Sequence, residues 1–261
     1  MEDVPSYMMR YLREPELTQI WLVGLWPAVP LCLSALYLIL VFLAMKWMEG
    51  RSPMKLRPAL IAWNTCLAVF SIIAFVQFTP SGLIHELLQG GFIHSVCLLK
   101  PFSNPELNFW TTLFILSKFV EFGDTFFLVF KKSPLTFLHV YHHVTVAMYT
   151  WFGGTDGSSV GHWFCAMNYG VHSVMYTYFM LKSLGVNLPS TVARSITILQ
   201  LSQFIMGLVC IVVAAVRLWQ GKECNTTETC AIVGLIIYGS YFVLFLNFFY
   251  HRYVKGRSKK D

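Results

Sequence analysis

The chain has 261 residues, of which 56% are hydrophobic and only 12% charged, about half the charged share of a soluble domain. Its 19 basic and 13 acidic residues cluster in short stretches between apolar runs, and those runs approach the ~20 residues that cross roughly 30 Å of hydrocarbon. The pattern excludes a soluble enzyme, a disordered chain and a coiled coil; it leaves an all-α polytopic membrane protein, because strand alternation is absent.

Seven runs qualify as transmembrane helices: residues 22–47, 58–78, 109–130, 136–153, 162–181, 194–217 and 231–251. Residues 1–20 are polar and acidic, so no cleavable signal peptide is expected. The first run holds Pro27 and Pro30, expected near its entry, where a missing amide donor costs least. The segment 79–108 is too polar and too rich in Gly and Pro to span. With no linker, repeat or low-complexity stretch, residues 1–261 read as one domain.

Seven spans put Lys46, Arg51, Lys55, Arg57, Lys131, Lys132, Lys182, Arg194, Arg252, Lys255, Arg257, Lys259 and Lys260 on one side, 13 in all. The other side holds 5: Arg10, Arg13, Lys100, Arg217 and Lys222, while Lys118 falls inside a span. The basic side is expected to face the cytosol, with the C-terminus there and the N-terminus lumenal. Topology and anionic lipid account for the net charge of +6. A polyphosphate ligand would use the same residues, and nothing supports nucleic-acid binding. Asn225-Thr226-Thr227 is a glycosylation sequon in the last lumenal loop, close to the next span. Cys97, Cys224 and Cys230 are the cysteines outside spans, and an oxidising lumen permits a disulfide among them.

Charged or strongly polar side chains inside hydrocarbon are costly and mark function by default. In the third run, Lys118, Glu121, Asp124 and Thr125 fall on one helix face. In the fourth, His139, His142 and His143 share a face, where three imidazoles are rarely structural. In the fifth, Asn168, His172 and Tyr176 form a stripe, with Tyr178 nearby; in the sixth, Thr197, Gln200 and Gln203 form another. Counted from the basic end of each run, Asp124, His142, Tyr176 and Gln200 lie 5 or 6 residues deep, or roughly 8–9 Å. Glu121, His172 and Gln203 lie 9 deep, or about 14 Å. Four helices thus present polar groups at one level, which predicts a polar chamber under the basic face with apolar walls continuing toward the lumen.

The histidines admit two chemistries. Imidazole can ligate iron or zinc, giving a metal-dependent lipid oxidase or hydrolase; yet the chain carries one His box, and His85, His94, His162, His172 and His251 form no second. Alternatively an imidazole acts as nucleophile or general base, with carboxylates and amides setting its tautomer.

In order along the chain stand Lys118-x-x-Glu121-x-x-Asp124-Thr125, His139-x-x-His142-His143, Asn168-x-x-x-His172-x-x-Met175-Tyr176-x-Tyr178 and Thr197-x-x-Gln200-x-x-Gln203. Together these resemble the very-long-chain fatty acid elongases, the membrane 3-ketoacyl-CoA synthases, over residues 20 to 255. Met167 to Tyr178 and Ser117 to Thr125 are most similar to the subgroup acting on saturated and monounsaturated long chains. Phe179 departs from the pattern, since many members have a second Tyr there.

The resemblance implies seven transmembrane helices, six of them enclosing an acyl tunnel. It implies condensation of a long-chain acyl-CoA with malonyl-CoA, loss of CO2 and extension by two carbons. His142 would carry the acyl group as an acyl-imidazole, and His172 would face it across the tunnel. His139, His143, Glu121 and Asp124 would orient and tune the imidazole. Lys118, Asn168, Tyr176, Gln200 and Gln203 would bind substrate, and Lys131, Lys132, Lys182 and Arg252 would meet the CoA phosphates. No metal or organic cofactor is implied; the reductase and dehydratase of the elongation cycle are the implied partners, and homodimerisation stays open. Cys97 and Cys224 match paired lumenal positions of the family and are expected to form a disulfide. The tail Arg257-Ser258-Lys259-Lys260-Asp261 is similar to a dilysine-type endoplasmic reticulum retrieval signal, with Ser in place of one Lys.

Overall fold

The computed structural model describes residues 14–99 and 104–255, and every regular element among them is helical. The tail signal lies outside the described residues, as do Arg10, Arg13 and Lys100. In chain order the helices are α1 (Pro15–Leu25), α2 (Ala28–Met48), α3 (Arg57–Thr79), α4 (His85–Cys97), α5 (Pro105–Val120), α6 (Gly123–Phe130), α7 (Phe137–Asp156), α8 (Gly161–Leu184), α9 (Ser190–Trp219) and α10 (Glu228–Phe249). A π-helical turn at Pro80–Ile84 joins α3 to α4, and another at Tyr250–Lys255 continues α10.

The first run, read as one span, is two helices: α1 stops at Leu25 and α2 starts at Ala28, with Pro27 at its cap and Pro30 in its first turn. There a proline removes no needed amide. The third run is also broken. Backbone bonds tighten to Phe122 N–Phe119 O and Asp124 N–Glu121 O, and α6 restarts at Gly123. Segment 79–108, set aside as non-spanning, is helical over Pro80–Cys97, kinked at Gly91 (φ 75°).

Four helical stretches are long and apolar enough to cross a membrane: Ala28–Met48, Arg57–Cys97, Ser190–Trp219 and Glu228–Lys255. With their exposed leucine, isoleucine and phenylalanine surfaces, they make this a multi-pass membrane protein. Of the runs bearing polar motifs, the sixth (α9) belongs to that set, while the third, fourth and fifth fall outside it for physical reasons. α5 and α6 are short because their run breaks, whereas α7 and α8 carry the histidines, tyrosines and asparagine of the motifs.

Side-chain caps fix several starts: Asn104 accepts from Glu106 N, Thr136 from His139 N and Thr227 from Cys230 N. α3 packs along α8, where small residues let the backbones approach. A Cβ at Gly170 would come within 2.9 Å of the Phe75 ring. The main core lies among α3, α8, α9 and α10 and includes Phe78, Phe164, Tyr169, Phe204 and Tyr238.

The two ends differ. At one, Met54 N bonds Phe130 O, Arg57 bonds the Ser183 and Leu184 carbonyls, and Thr197 meets Tyr253. At the other, Cys97 is joined to Cys224 as expected, and Cys230 is a buried free thiol. The same end is latched by Ser159 Oγ donating to Val96 O (2.6 Å), Asn225 N to Cys97 O (2.7 Å) and Ser158 Oγ to Thr226 Oγ1 (2.9 Å). The sequon nitrogen, Asn225 Nδ2, donates to Leu98 O at 3.0 Å.

Candidate active site

Lys118, near the end of α5, is 1% exposed. A buried ammonium needs acceptors, and its Nζ donates to Glu121 Oε1 and to Asn168 Oδ1, each at 2.7 Å. Lysine has no acceptor, so the Asn168 oxygen faces it and the Asn168 nitrogen faces away. That nitrogen donates to His172 Nε2 at 3.1 Å. Nε2 is therefore an acceptor, the ring proton resides on Nδ1, and Nδ1 points back at Glu121 Oε1, 3.5 Å away. Lys118, Glu121, His172 and Asn168 close into a ring that fixes the histidine's tautomer.

Asp124 does not extend the Lys118–Glu121 pair, contrary to the single polar face read from the sequence. The helix break turns it toward α3 and α8, where Trp63 Nε1 donates to Oδ1 (2.6 Å) and Tyr176 OH to Oδ2 (2.8 Å). Gly123 makes room for this: a Cβ there would fall 2.5 Å from the Trp63 ring. Thr125 turns a third way, linking Tyr37 OH (2.7 Å) to His139 Nε2 (2.9 Å).

The His triplet likewise divides. His139 and His143 face α2 and α6: their rings lie 4.3 Å apart, and His143 meets Phe122 edge-on, its buried Nδ1 without a partner among the described residues. His142 faces α10, its ring 4.8 Å from that of Tyr241 and 6.1 Å from that of Phe245. Among the described residues the His142 imidazole has no hydrogen-bond partner.

His142 lines a narrow internal cavity of about 60 Å³. Asn168 and Gln203 line it too, whereas His139, His143 and His172 do not. His172, expected to face His142 across the space, stands one hydrogen bond behind Asn168. Gln203 has a buried Oε1 without a partner among the described residues, while Gln200 turns to Met175 Sδ (3.4 Å) and stays out of the lining. Lys118 stands one hydrogen bond behind Asn168, whereas Tyr176 bonds Asp124, which does not line the cavity. Lys131, Lys132, Lys182, Arg194 and Arg252 are exposed, all at the end away from the disulfide.

From His142 the lining follows α7 through Val146, Tyr149, Thr150 and Gly153 to Gly154, 12 residues or about 18 Å along the helix, and reaches Ser158 just past its end. Apolar walls were expected there. Phe114, Ile115 and Phe164 supply them, but Thr111, Ser158, His162 and Cys230 also line the cavity. Sequence reasoning missed Trp63, Tyr37 and Tyr241. Each sits in an apolar run, and only Trp63 had a signal, the glycine that faces it.

An all-helical membrane bundle with an imidazole-lined cavity defines the class, and comparison places it. Residues 23–261 match the GNS1/SUR4 family, ELO, and the chain belongs to that family. It is 41% identical to "Very long chain fatty acid elongase 6" of Drosophila melanogaster, over 94% of this chain and 78% of that protein. It is 40% identical to "Putative fatty acid elongase 3" of Caenorhabditis elegans (87% and 71% covered) and 38% to "Very long chain fatty acid elongase 3" of Homo sapiens (87% and 83%).

Proposed function

We propose that the protein is an acyltransferase of fatty acid elongation. It condenses a long-chain acyl-CoA with malonyl-CoA to give a 3-ketoacyl-CoA two carbons longer, CO2 and free CoA. Family membership and relatives named as elongases support the reaction class. The observation that carries the site is that His142 alone of its triplet lines the cavity.

In this reading His142 attacks the thioester carbonyl, the CoA thiolate leaves and the acyl group rests on the imidazole. Malonyl-CoA loses CO2; the resulting enolate carbon attacks the acyl-imidazole and frees His142. Asn168 and Gln203 present amides toward the developing oxyanion. The ring of Lys118, Glu121 and His172 holds Asn168 in place, while His139, His143 and Asp124 brace the helices around His142. Tyr176 and Gln200 position α8. Lys131, Lys132, Lys182 and Arg252 meet the CoA phosphates at the rim. Seven spans, six of them around a closed acyl tunnel, accommodate the chain. No metal or organic cofactor takes part.

The basic end faces the cytosol and the disulfide the lumen of the endoplasmic reticulum. Reductase and dehydratase partners then act on the product, and a homodimer is compatible with the bundle's exposed apolar faces. The metal-dependent lipid oxidase or hydrolase fits less well. Among the described residues no three His, Cys, Asp or Glu side chains converge to hold a metal, and the triplet's rings point to different neighbours.

Radiolabelled malonyl-CoA and a long-chain acyl-CoA supplied to the purified protein should yield labelled 3-ketoacyl product. His142→Ala should lower that rate at least 100-fold, the upper scale being ~10⁴ for loss of one positioned group. Near-normal turnover by this variant would dismiss the nucleophile assignment.

A further inference from the structure

Buried polar atoms in folded proteins nearly always have partners. Within the cavity lining, away from the His142 end, two do not. His162 Nε2 and Thr111 Oγ1 are buried and unpartnered among the described residues, with His162 1% and Thr111 8% exposed.

Their chemistry is defined by their neighbours. His162 Nδ1 lies 3.3 Å from the Ser159 carbonyl oxygen. That oxygen can only accept, so Nδ1 carries the proton and Nε2 offers a lone pair. The ring is held flat against Phe78, centroids 5.6 Å apart at 15°. Thr111 does not bond back along its helix as Thr112 does to Asn108 O, so its hydroxyl can both give and take a hydrogen bond. Ser158, also in the lining, is already committed to Thr226.

The two residues lie at a similar depth in the lining. α5 and α8 both start from the disulfide end, and the Lys118–Asn168 bond pins their register. Thr111 lies 7 residues before Lys118 and His162 lies 6 before Asn168, about 10.5 and 9 Å along their helices. Beside them the wall is open: a Cβ at Gly153 or Gly161, both in the lining, would meet nothing within 4 Å.

We propose that Thr111 and His162 form a hydroxyl-binding subsite in the remote part of the cavity, which favours acyl chains bearing a hydroxyl at the end far from the thioester. The hydroxyl would donate to His162 Nε2 and accept from Thr111 Oγ1. This rests on the reading of the cavity as the acyl site. No bond is made or broken at the subsite.

The test uses the purified full chain and matched acyl-CoA pairs, with and without a terminal hydroxyl, over a series of lengths. Labelled malonyl-CoA incorporation is read as kcat/KM. At the length that reaches the subsite, the hydroxylated chain should be favoured about tenfold, as a hydrogen bond of typical strength allows. Thr111→Val, which keeps the side chain's shape, and His162→Phe should each bring that ratio to about one. Should plain chains be elongated while hydroxylated ones gain nothing at any length, the subsite is refuted and the acyl cavity stands. That is also the result expected if ordered water fills it. A wild-type preference unchanged in both variants refutes the assignment to these residues. If neither chain is elongated, the acyl reading falls and the subsite falls with it. The wild-type ratio decides even if one variant fails to fold.

Discussion

Lys118 and Glu121 cannot be understood apart. Both are buried, and Lys118 Nζ also lies 4.4 Å from the Phe114 ring centre. A pair of this kind adds little stability in itself, yet breaking it leaves an uncompensated buried charge, at a cost of about 3–5 kcal/mol. Glu121→Gln should therefore lower thermal stability in detergent markedly. The double change Lys118→Met/Glu121→Leu should recover much of the loss while losing condensation, because Asn168 and His172 lose their fixed orientation. A single variant as stable as wild type would mean that Lys118 reaches water and the ring is not closed. Asp124 makes the contrasting case: its carboxylate is met by an indole and a phenol rather than a cation. Phe at Tyr176 should affect turnover more than folding, since the Trp63 bond remains.

At the scale of helices, the sequence carries position better than continuity. Runs 58–78 and 194–217 lie within helices Arg57–Thr79 and Ser190–Trp219, and run 231–251 fills most of Glu228–Phe249 and enters the π turn at Tyr250, because hydrophobic length alone sets them. The break before α2 falls at Pro27, one of the prolines expected near the span's entry, whereas the break before α6 fell inside a run read as one continuous face. At Gly123 the cause is tertiary, the Trp63 ring occupying the place of a side chain. The same limit applies to the motifs. Spacing brings Lys118, Glu121, Asn168 and His172 together, but it cannot say that His142 turns away from His139 and His143, which depends on which helix lies opposite. Adjacent glycines of α7 test the packing argument. A Cβ at Gly153 meets nothing within 4 Å, whereas one at Gly154 comes 2.6 Å from Ile115 Cδ1 and 3.2 Å from Leu22 Cδ1. Gly154→Leu should destabilise by about 1–3 kcal/mol through overpacking. Gly153→Leu should fold and shift elongation toward shorter chains, seen by product chromatography. Unchanged product lengths would place the acyl chain elsewhere.

Across the whole molecule, charge and redox chemistry point the same way. Among the described residues, Lys46, Arg51, Lys55, Arg57, Lys131, Lys132, Lys182, Arg194, Arg252 and Lys255 gather at one end, against Arg217 and Lys222 at the other. Ten against two is a strong positive-inside asymmetry. The disulfide occupies the poorly basic end, as it must if that end meets an oxidising lumen. The latch around it joins the chain at Val96–Leu98, Asp156–Ser159 and Cys224–Thr227, so its two cysteines, 127 residues apart in sequence, close the bundle on the side away from the basic rim. In sealed microsomes, a protease added outside should remove a C-terminal tag and leave a tag inserted near Lys222 intact. Cys97 and Cys224 should resist maleimide labelling until membranes are both permeabilised and reduced. The reverse protection pattern would put the basic rim on the lumenal side, away from cytosolic acyl-CoA, and would remove the phosphate role assigned to Lys131, Lys132, Lys182 and Arg252.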